Sequence, residues 1–148
     1  MATKKLSPGE HAVRLRIVVE GPVAGVMYSL QGKENRPVGA VRAVGGEPLV
    51  LELEVRASVT EEGVRWLGEH VRREGAERRF VYVAVGTQAG DGSSPWSRRM
   101  KVDVHTIGAE LVQSATRGKV LEVRVAGTGA DGTPACATVK PTQAWVAV

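Results

Sequence analysis

The sequence of 148 residues is poor in cysteine, in aromatic residues and in long apolar runs. Cys136 is the single cysteine, so the chain cannot form an internal disulfide, as is typical of proteins in a reducing compartment. No apolar run approaches the ~18 residues that a membrane-spanning helix requires. The amino-terminal residues also lack the apolar segment of a signal peptide. We therefore expect a soluble, cytoplasmic protein without membrane contact.

The sequence also lacks the motifs of common cofactor and metal sites. His11, His70 and His105 are far apart and do not have the spacing of metal ligands. Residues 127–132 match the glycine pattern of dinucleotide-binding loops, which requires a helix directly after the glycines. Pro134 and a strand-like run follow instead. We therefore predict no bound metal and no cofactor.

The sequence contains 25 valines but one phenylalanine. Such β-branched residues favour sheet. The length suits one domain, which we place at residues 12–148 after a flexible tail at 1–11. The formal charge is +4, but acidic residues are interspersed with the basic ones. The charge by itself therefore indicates no particular partner.

Alternation of apolar and polar residues predicts about seven strands. Residues 13–19, 49–56 and 121–125 each have one apolar face and one that carries charge. Residues 80–85 are apolar on both faces, so this strand should be buried on both sides. The segment 60–75 combines helical spacing with two interior glycines, and we interpret it as irregular with a short helical turn.

Residues 106–117 have the pattern of a helix, with Thr106 as the N-cap, Ile107 and Leu111 on one stripe and Gly118 after the last turn. We predict a mainly antiparallel β-sandwich or partly closed barrel with this one helix. The alternative is an open α+β sheet with the helix packed on one face.

Arg98 is the most informative candidate for ligand binding. It shares its strand parity with Met100 and Val102, so it should point toward the core or toward a pocket at its edge. A buried guanidinium requires a partner. A structural ion pair, or a side chain that extends past Trp96 to solvent, is the commoner arrangement. The sharper alternative is an anion site in which Arg98 acts together with Thr87, Ser94 and Trp96.

Two other functional classes deserve comparison. The first is an enzyme with Cys136 as nucleophile and His105 as base, close to Arg98. The carboxylate expected to accompany such a site is missing from the pattern. The second is a weak nucleic-acid binder that uses the run Arg72–Arg79, but interleaved glutamates reduce its positive field, and we do not expect nucleic acid as a partner.

The function that we expect is therefore non-enzymatic. We predict a module that binds a small anionic ligand or a protein partner, with Arg98 and its loop as the site. An exposed edge strand would also support a homodimer.

Several short motifs are specific enough to suggest a family. They are Glu20-Gly21-Pro22, Trp66-Leu67-Gly68, Trp96-Ser97-Arg98-Arg99 and the segment from Gly127 to Val139. With them the chain resembles an uncharacterised family of small bacterial proteins, the domain of unknown function family 5990, over residues 13–141. The resemblance implies no particular activity. In the family pattern a Gly-Pro pair stands at Gly68-Glu69, which favours a loop over a helix in this segment.

Overall fold

The computed structural model describes residues 9–32, 37–61, 63–75, 78–86, 98–114, 118–129, 132, 134 and 138–147. Within these residues the chain forms eleven strands and one α-helix. The strands are β1 (Glu10–Glu20), β2 (Met27–Gln31), β3 (Pro37–Arg42), β4 (Leu49–Thr60), β5 (Gly63–Leu67), β6 (Val71–Glu74), β7 (Arg78–Gly86), β8 (Arg98–Asp103), β9 (Lys119–Ala126), β10 (Thr138–Val139) and β11 (Thr142–Ala147). The helix α1 spans Ala109–Gln113.

The strands form two sheets. The five-stranded sheet has the order β11-β9-β1-β4-β5. The six-stranded sheet has the order β10-β8-β7-β2-β3, and β6 also pairs with β7. Pairing is mainly antiparallel, but β1 with β9 and β8 with β10 are parallel. The described strands do not close into a barrel, and the prediction of a mainly β, sandwich-like fold with one helix is confirmed.

The hydrophobic core lies between the two sheets and draws on both. Alternate residues of β1 and β4 are buried, and the charged residues between them face solvent. The core residues of the long strands are Val13, Leu15, Ile17 and Val19 in β1, Leu49, Leu51, Leu53 and Val55 in β4, Val81, Val83 and Val85 in β7, and Leu121, Val123 and Val125 in β9. Because the pleat sends successive side chains to opposite faces, the period of two in the sequence becomes one packed face.

β7 is buried on both faces from Phe80 to Val85, as its sequence predicts. Its valines face the shared core, while Phe80 and Tyr82 lie on the outer face of the six-stranded sheet. The guanidinium carbon of Arg99 lies 4.3 Å from the centre of the Tyr82 ring. Lys101 Nζ lies 5.7 Å from the centre of the Phe80 ring. Cation–π contacts of this kind keep the outer aromatic side chains covered.

The interpretation of residues 60–75 as irregular is wrong, because this segment forms β5 and β6. β5 returns along β4 in a hairpin in which Thr60 is opposite Gly63. Gly68 has a φ of +148° and lies between the two strands, where the chain leaves one sheet and enters the other. The glycines that argue against a helix therefore permit a turn and a crossing.

The helix begins later than its sequence suggests. Val104–Thr106 forms a 3-10 turn, and the N-cap of α1 is Gly108 rather than Thr106. The Thr106 hydroxyl donates to the Asp103 carbonyl oxygen at 2.9 Å, and the Asp103 carboxylate accepts from the His105 backbone N–H at 3.1 Å. The prediction of Thr106 as N-cap is wrong because its hydroxyl stabilises the preceding turn instead.

The amino-terminal strand begins inside the segment that we expected to be a tail. β1 starts at Glu10, which pairs with Ser58 of β4, and His11 pairs with Ala57. The Gly9 carbonyl oxygen also accepts a hydrogen bond from the Val59 N–H at 2.9 Å. The ordered sheet therefore includes residues that carry no strong alternation of their own.

Candidate anion-binding cleft

A cleft of about 680 Å³ lies where the β4–β5 hairpin meets the start of β7 and the turn before α1. The register explains why the start of β7 and the turn before α1 are close: β7 and β8 are antiparallel, and Phe80 is opposite Asp103. The start of β7 therefore lies beside the end of β8. The lining residues are Ser58, Thr60, Glu61, Gly63, Val64, Arg65, Arg79, His105, Ile107, Gly108 and Ala109.

Arg79 is the most unusual of these lining residues. It is 8% exposed, and in the described ranges it is the one charged residue that counts as buried. It has the parity of Val81 and Val83, so its side chain enters the end of the space between the sheets. Its Nη1 donates to the Arg78 carbonyl oxygen at 3.2 Å. No carboxylate oxygen of the described residues lies within 4 Å of this guanidinium.

Two further arginines add positive charge near Arg79. Arg73 is directly opposite Arg79 in the β6–β7 pair, and Arg65 lines the cleft from β5. Burial lowers the pKa of Arg79, and the positive charges of Arg73 and Arg65 lower it further. Each cause makes the charged guanidinium less favourable than in water. Arginine nevertheless stays protonated at neutral pH, so the cleft concentrates positive charge.

Among the described lining residues, Glu61 carries a carboxylate. Glu61 lies in the turn after β4 and is exposed, unlike Arg79. The described lining also includes Ser58 and Thr60, which carry hydroxyl groups, and the apolar residues Val64 and Ile107. The cleft therefore combines polar and apolar residues, and the Thr60 hydroxyl donates to the Gly63 carbonyl oxygen at 3.4 Å.

A second polar cluster lies on the outer face of the six-stranded sheet. The Tyr82 hydroxyl donates to the Glu74 carboxylate, and Lys101 Nζ donates to the same oxygen at 2.7 Å. Burial, the hydrogen bond to Glu74 and the charge of Glu74 raise the pKa of Tyr82 to about 12. The hydrogen bonds from Lys101 and Tyr82 lower the pKa of Glu74. Because its charges are paired, this cluster ties β6, β7 and β8 together.

Arg98 is exposed, which agrees with the expected alternative of a side chain that extends to solvent rather than one buried in the core. It is the first residue of β8 and lies opposite Val85, where its long side chain reaches solvent past the start of the strand. Thr87, Ser94 and Trp96, which complete the site predicted for it, lie outside the described residues. Ligand binding by Arg98 with this loop stays a prediction.

The two described members of the catalytic hypothesis are not brought together. His105 lines the cleft, whereas Arg98 begins the strand whose far end leads to His105. A strand of six residues spans roughly 17 Å at ~3.4 Å per residue. Cys136 lies outside the described residues, and its role as a nucleophile stays a prediction.

The arginine run at 72–79 is divided between two faces by its hairpin. Arg72 and Arg78 lie on the outer face with Phe80, and Arg73 and Arg79 lie on the side toward the core. The run therefore does not form one continuous basic patch. From the sequence, Arg79 is a candidate binding residue only as part of this run. Its parity with the valines of β7 is the signal that distinguishes it.

Neither a metal site nor a membrane span emerges from the described ranges. No three His, Cys, Asp or Glu side chains among them are grouped to hold a metal ion. The helix among these residues is too short to cross a bilayer.

Comparison with known proteins identifies a family without an assigned activity. The family described as "Family of unknown function (DUF5990)" matches residues 13–148. The chain belongs to this family. No curated protein and no solved structure matches the chain.

Two of the motifs on which the resemblance to the family was based meet in the structure, at the ends of β1 and β9. The Gly127 N–H donates to the Glu20 carbonyl oxygen at 2.7 Å, and the Thr128 hydroxyl donates to the Gly21 carbonyl oxygen. A Cβ atom on Gly127 would lie 2.6 Å from Val19 Cγ1 and 2.9 Å from Pro22 Cα. The first glycine of the G-x-G-x-x-G match is thus explained by close packing.

Proposed function

We propose that the protein binds a small anionic ligand in the cleft, with Arg79 as the anchoring cation. One observation carries this proposal: Arg79 is buried, with Arg73 opposite it and Arg65 in the lining of the same cleft, and no described carboxylate lies within 4 Å of its guanidinium. A buried charge without compensation costs several kcal/mol. An anionic ligand would supply that compensation. Ligand binding therefore accounts for a buried arginine at this position, whereas a role in stability does not.

The dimensions and composition of the cleft suit a ligand site. Sites for small molecules have volumes of roughly 300–1,000 Å³ and combine apolar walls with a few polar groups. The cleft measures about 680 Å³ and combines Val64, Ile107 and Ala109 with two hydroxyl-bearing residues and two arginines. We propose binding without chemistry, because arginine keeps its proton at neutral pH and serves as an anion ligand rather than as an acid or base.

The proposal is tested by thermal unfolding of the full chain with increasing sulfate or phosphate at constant ionic strength. These anions also stabilise proteins by exclusion from their surface, which gives a response that does not saturate. Arg79→Gln is therefore compared with Arg78→Gln, because Arg78 is the neighbouring arginine and is exposed on the opposite face. We expect a saturable rise of the midpoint in the wild type and in Arg78→Gln, and no saturable rise in Arg79→Gln.

An Arg79→Gln variant that keeps the saturable response would contradict the proposal. Arg98→Gln is measured alongside it, since Arg98 is the alternative anchor at the other end of β8. Loss of the response in Arg98→Gln, with Arg79→Gln unaffected, would move the site to the Arg98 loop.

A further inference from the structure

We propose that the cleft receives the carboxy-terminal end of a partner polypeptide, which adds a strand to the free edge of β5 and places its terminal carboxylate against Arg79. This inference rests on the proposed anion-binding function and names the source of the anion. It depends on three features of the described residues: the unpaired edge of β5, the part of β5 that lines the cleft, and the position of Arg79 at the end of that edge.

β5 is the last strand of the five-stranded sheet, and among the described strands β4 alone pairs with it. In an antiparallel pair, alternate residues direct their backbone N–H and C=O groups away from the partner strand. These groups form a row along the outer edge of β5, to which an extended peptide can bind by adding a strand. Because such binding uses backbone hydrogen bonds, it depends little on the sequence of the peptide.

The cleft lies along this edge of β5 and not over one face of the strand. Gly63, Val64 and Arg65 are consecutive, and all three line the cleft. Successive side chains of a strand point to opposite faces. Val64 packs against the core, Arg65 is exposed, and Gly63 lines the cleft with its backbone. A cleft that reaches both faces of β5 and its backbone therefore borders the edge itself.

The space beside β5 suits a short extended segment. Ile107, Gly108 and Ala109, from the turn before α1 and its first residue, line the same cleft. A strand advances about 3.3 Å per residue, lies about 4.8 Å from its neighbour and fills a layer about 10 Å thick. Four residues of an added strand therefore occupy roughly 600 Å³. This is close to the cleft volume of about 680 Å³.

Arg79 lies where such a segment would end. The charge of Arg65 lowers the pKa of Arg79, so the two guanidinium groups are close enough to interact. The free edge ends soon after Arg65, because β5 ends at Leu67 and the chain then crosses to the other sheet at Gly68. The carboxy terminus of a peptide is a carboxylate at neutral pH. A guanidinium binds a carboxylate through paired hydrogen bonds, so this terminus would supply the partner that Arg79 lacks among the described residues.

Isothermal titration of the full chain at neutral pH and constant ionic strength tests the inference. The main probe is an acetylated tetrapeptide of alternating threonine and valine with a free carboxy terminus. It is compared with its carboxy-terminal amide and with acetate, which offers the carboxylate without a peptide backbone. We expect the free peptide to bind at least about 10-fold more tightly than either, because backbone hydrogen bonds add to the carboxylate contact. Arg79→Gln should abolish binding, and Arg78→Gln, on the opposite face, should retain it.

Methylation of the peptide backbone tests the added strand without any change to the protein. Alternate N–H groups of an added strand point toward β5, and those between them point away from it. Two isomers of the free peptide are therefore compared, one methylated at the first and third backbone nitrogens and the other at the second and fourth. We expect one isomer to bind no more tightly than acetate and the other to retain most of the affinity. Isomers that bind alike would overturn strand addition.

The possible failures are distinguishable. An amide that binds as tightly as the free peptide would overturn the role of the terminal carboxylate. A free peptide that binds no more tightly than acetate would overturn the inference, and saturable, Arg79-dependent binding of acetate or sulfate would then leave the anion-binding function intact. If neither the peptide nor a small anion shows binding that depends on Arg79, both the inference and the proposed function are wrong.

Discussion

The outer face of the five-stranded sheet and the cleft both concentrate arginine, but they treat its charge differently. On the outer face, Arg16 Nε lies 2.9 Å from a Glu52 oxygen, and Arg124 Nε lies 3.0 Å from a Glu122 oxygen. In the cleft, Arg79 is far more buried and has no described carboxylate within 4 Å. Among the described residues, ion pairs thus form on the solvent-facing side of the sheet, whereas the buried Arg79 has none.

The energies of the two regions explain why this difference is informative. Exposed ion pairs contribute about 0–1 kcal/mol each, because water already stabilises both charges. A buried charge without a partner costs several kcal/mol. An arginine that served only the fold would gain from a glutamate at the cleft far more than Arg16 gains at the surface. We infer that the guanidinium of Arg79, which has no carboxylate partner among the described residues, binds a ligand.

The largest effect should follow from a substitution that places a carboxylate in the cleft as a partner for Arg79. Ala109 lines the cleft at the first residue of α1, and Ala109→Glu places a carboxylate there. We expect the unfolding free energy to rise by about 2 kcal/mol, since hydrogen bonds to charged groups contribute about 1.5–3 kcal/mol. The saturable response to phosphate should disappear. Urea unfolding and the anion titration measure the two results.

Ala109→Gln is the control for this experiment, because it adds a side chain of the same size without the charge. A carboxylate near a helix N-terminus is favourable by itself, by about 0.3–1 kcal/mol. Stabilisation by Ala109→Glu that also occurs in an Arg79→Gln background would therefore come from the helix and not from the arginine, against our account.

An intermediate effect is expected at Tyr82, whose buried hydroxyl donates to the Glu74 carboxylate, whereas Arg79 has no described carboxylate within 4 Å. Tyr82→Phe removes the hydrogen bond to Glu74 and should lower the unfolding free energy by about 1 kcal/mol at neutral pH. The pKa of Tyr82 is raised from 10.0 to about 12 in the folded protein. The contribution of the hydroxyl is therefore complete below pH 10 and is lost as the pH rises to 12.

Urea unfolding of the wild type and Tyr82→Phe from pH 8 to pH 12 measures this dependence. The difference between the two proteins should shrink steadily above pH 10. A difference that stays constant over this range would mean that the Tyr82 hydroxyl does not stabilise the fold through its proton. Tyr28→Phe is the control for the other tyrosine, which is buried in the core between the sheets.

The smallest effect is expected on the outer face itself. Glu52 pairs with both Arg14 and Arg16, so Glu52→Gln removes two ion pairs at once. We expect a loss of about 0.5 kcal/mol at low salt, and less in concentrated salt because exposed charges are screened. Urea unfolding at low and at high sodium chloride measures it. A loss of several kcal/mol would show that these two ion pairs stabilise the fold substantially, and would remove the contrast with the cleft.

Much of the fold follows from alternation in the sequence. β1 and β4 are predictable because one face of each is buried, and β7 is predictable because both faces are apolar and both are covered. β5 and β6 are not, because both strands are short and the chain changes sheets at Gly68 between them. A crossing from one sheet to the other depends on pairing between strands that are distant in sequence. It produces no local alternation of apolar and polar residues.

The site is only partly predictable for the same reason. The parity that places Arg79 on the core side is readable from β7, and the same argument fails for Arg98 because that residue begins its strand. No local pattern indicates that the β4–β5 hairpin and the turn before α1 lie together around Arg79. That meeting depends on contacts between segments that are distant in sequence.

The most direct test of the central claim is the stability of Arg79→Met without ligand and with saturating phosphate. Methionine places an unbranched apolar side chain at this position and removes the charge. Without ligand we predict an unfolding free energy about 1–2 kcal/mol above that of the wild type, because replacing buried charge with apolar groups is often stabilising. Phosphate should then stabilise the wild type and leave Arg79→Met unchanged. An Arg79→Met variant that is several kcal/mol less stable and responds to phosphate like the wild type would show that Arg79 serves the fold.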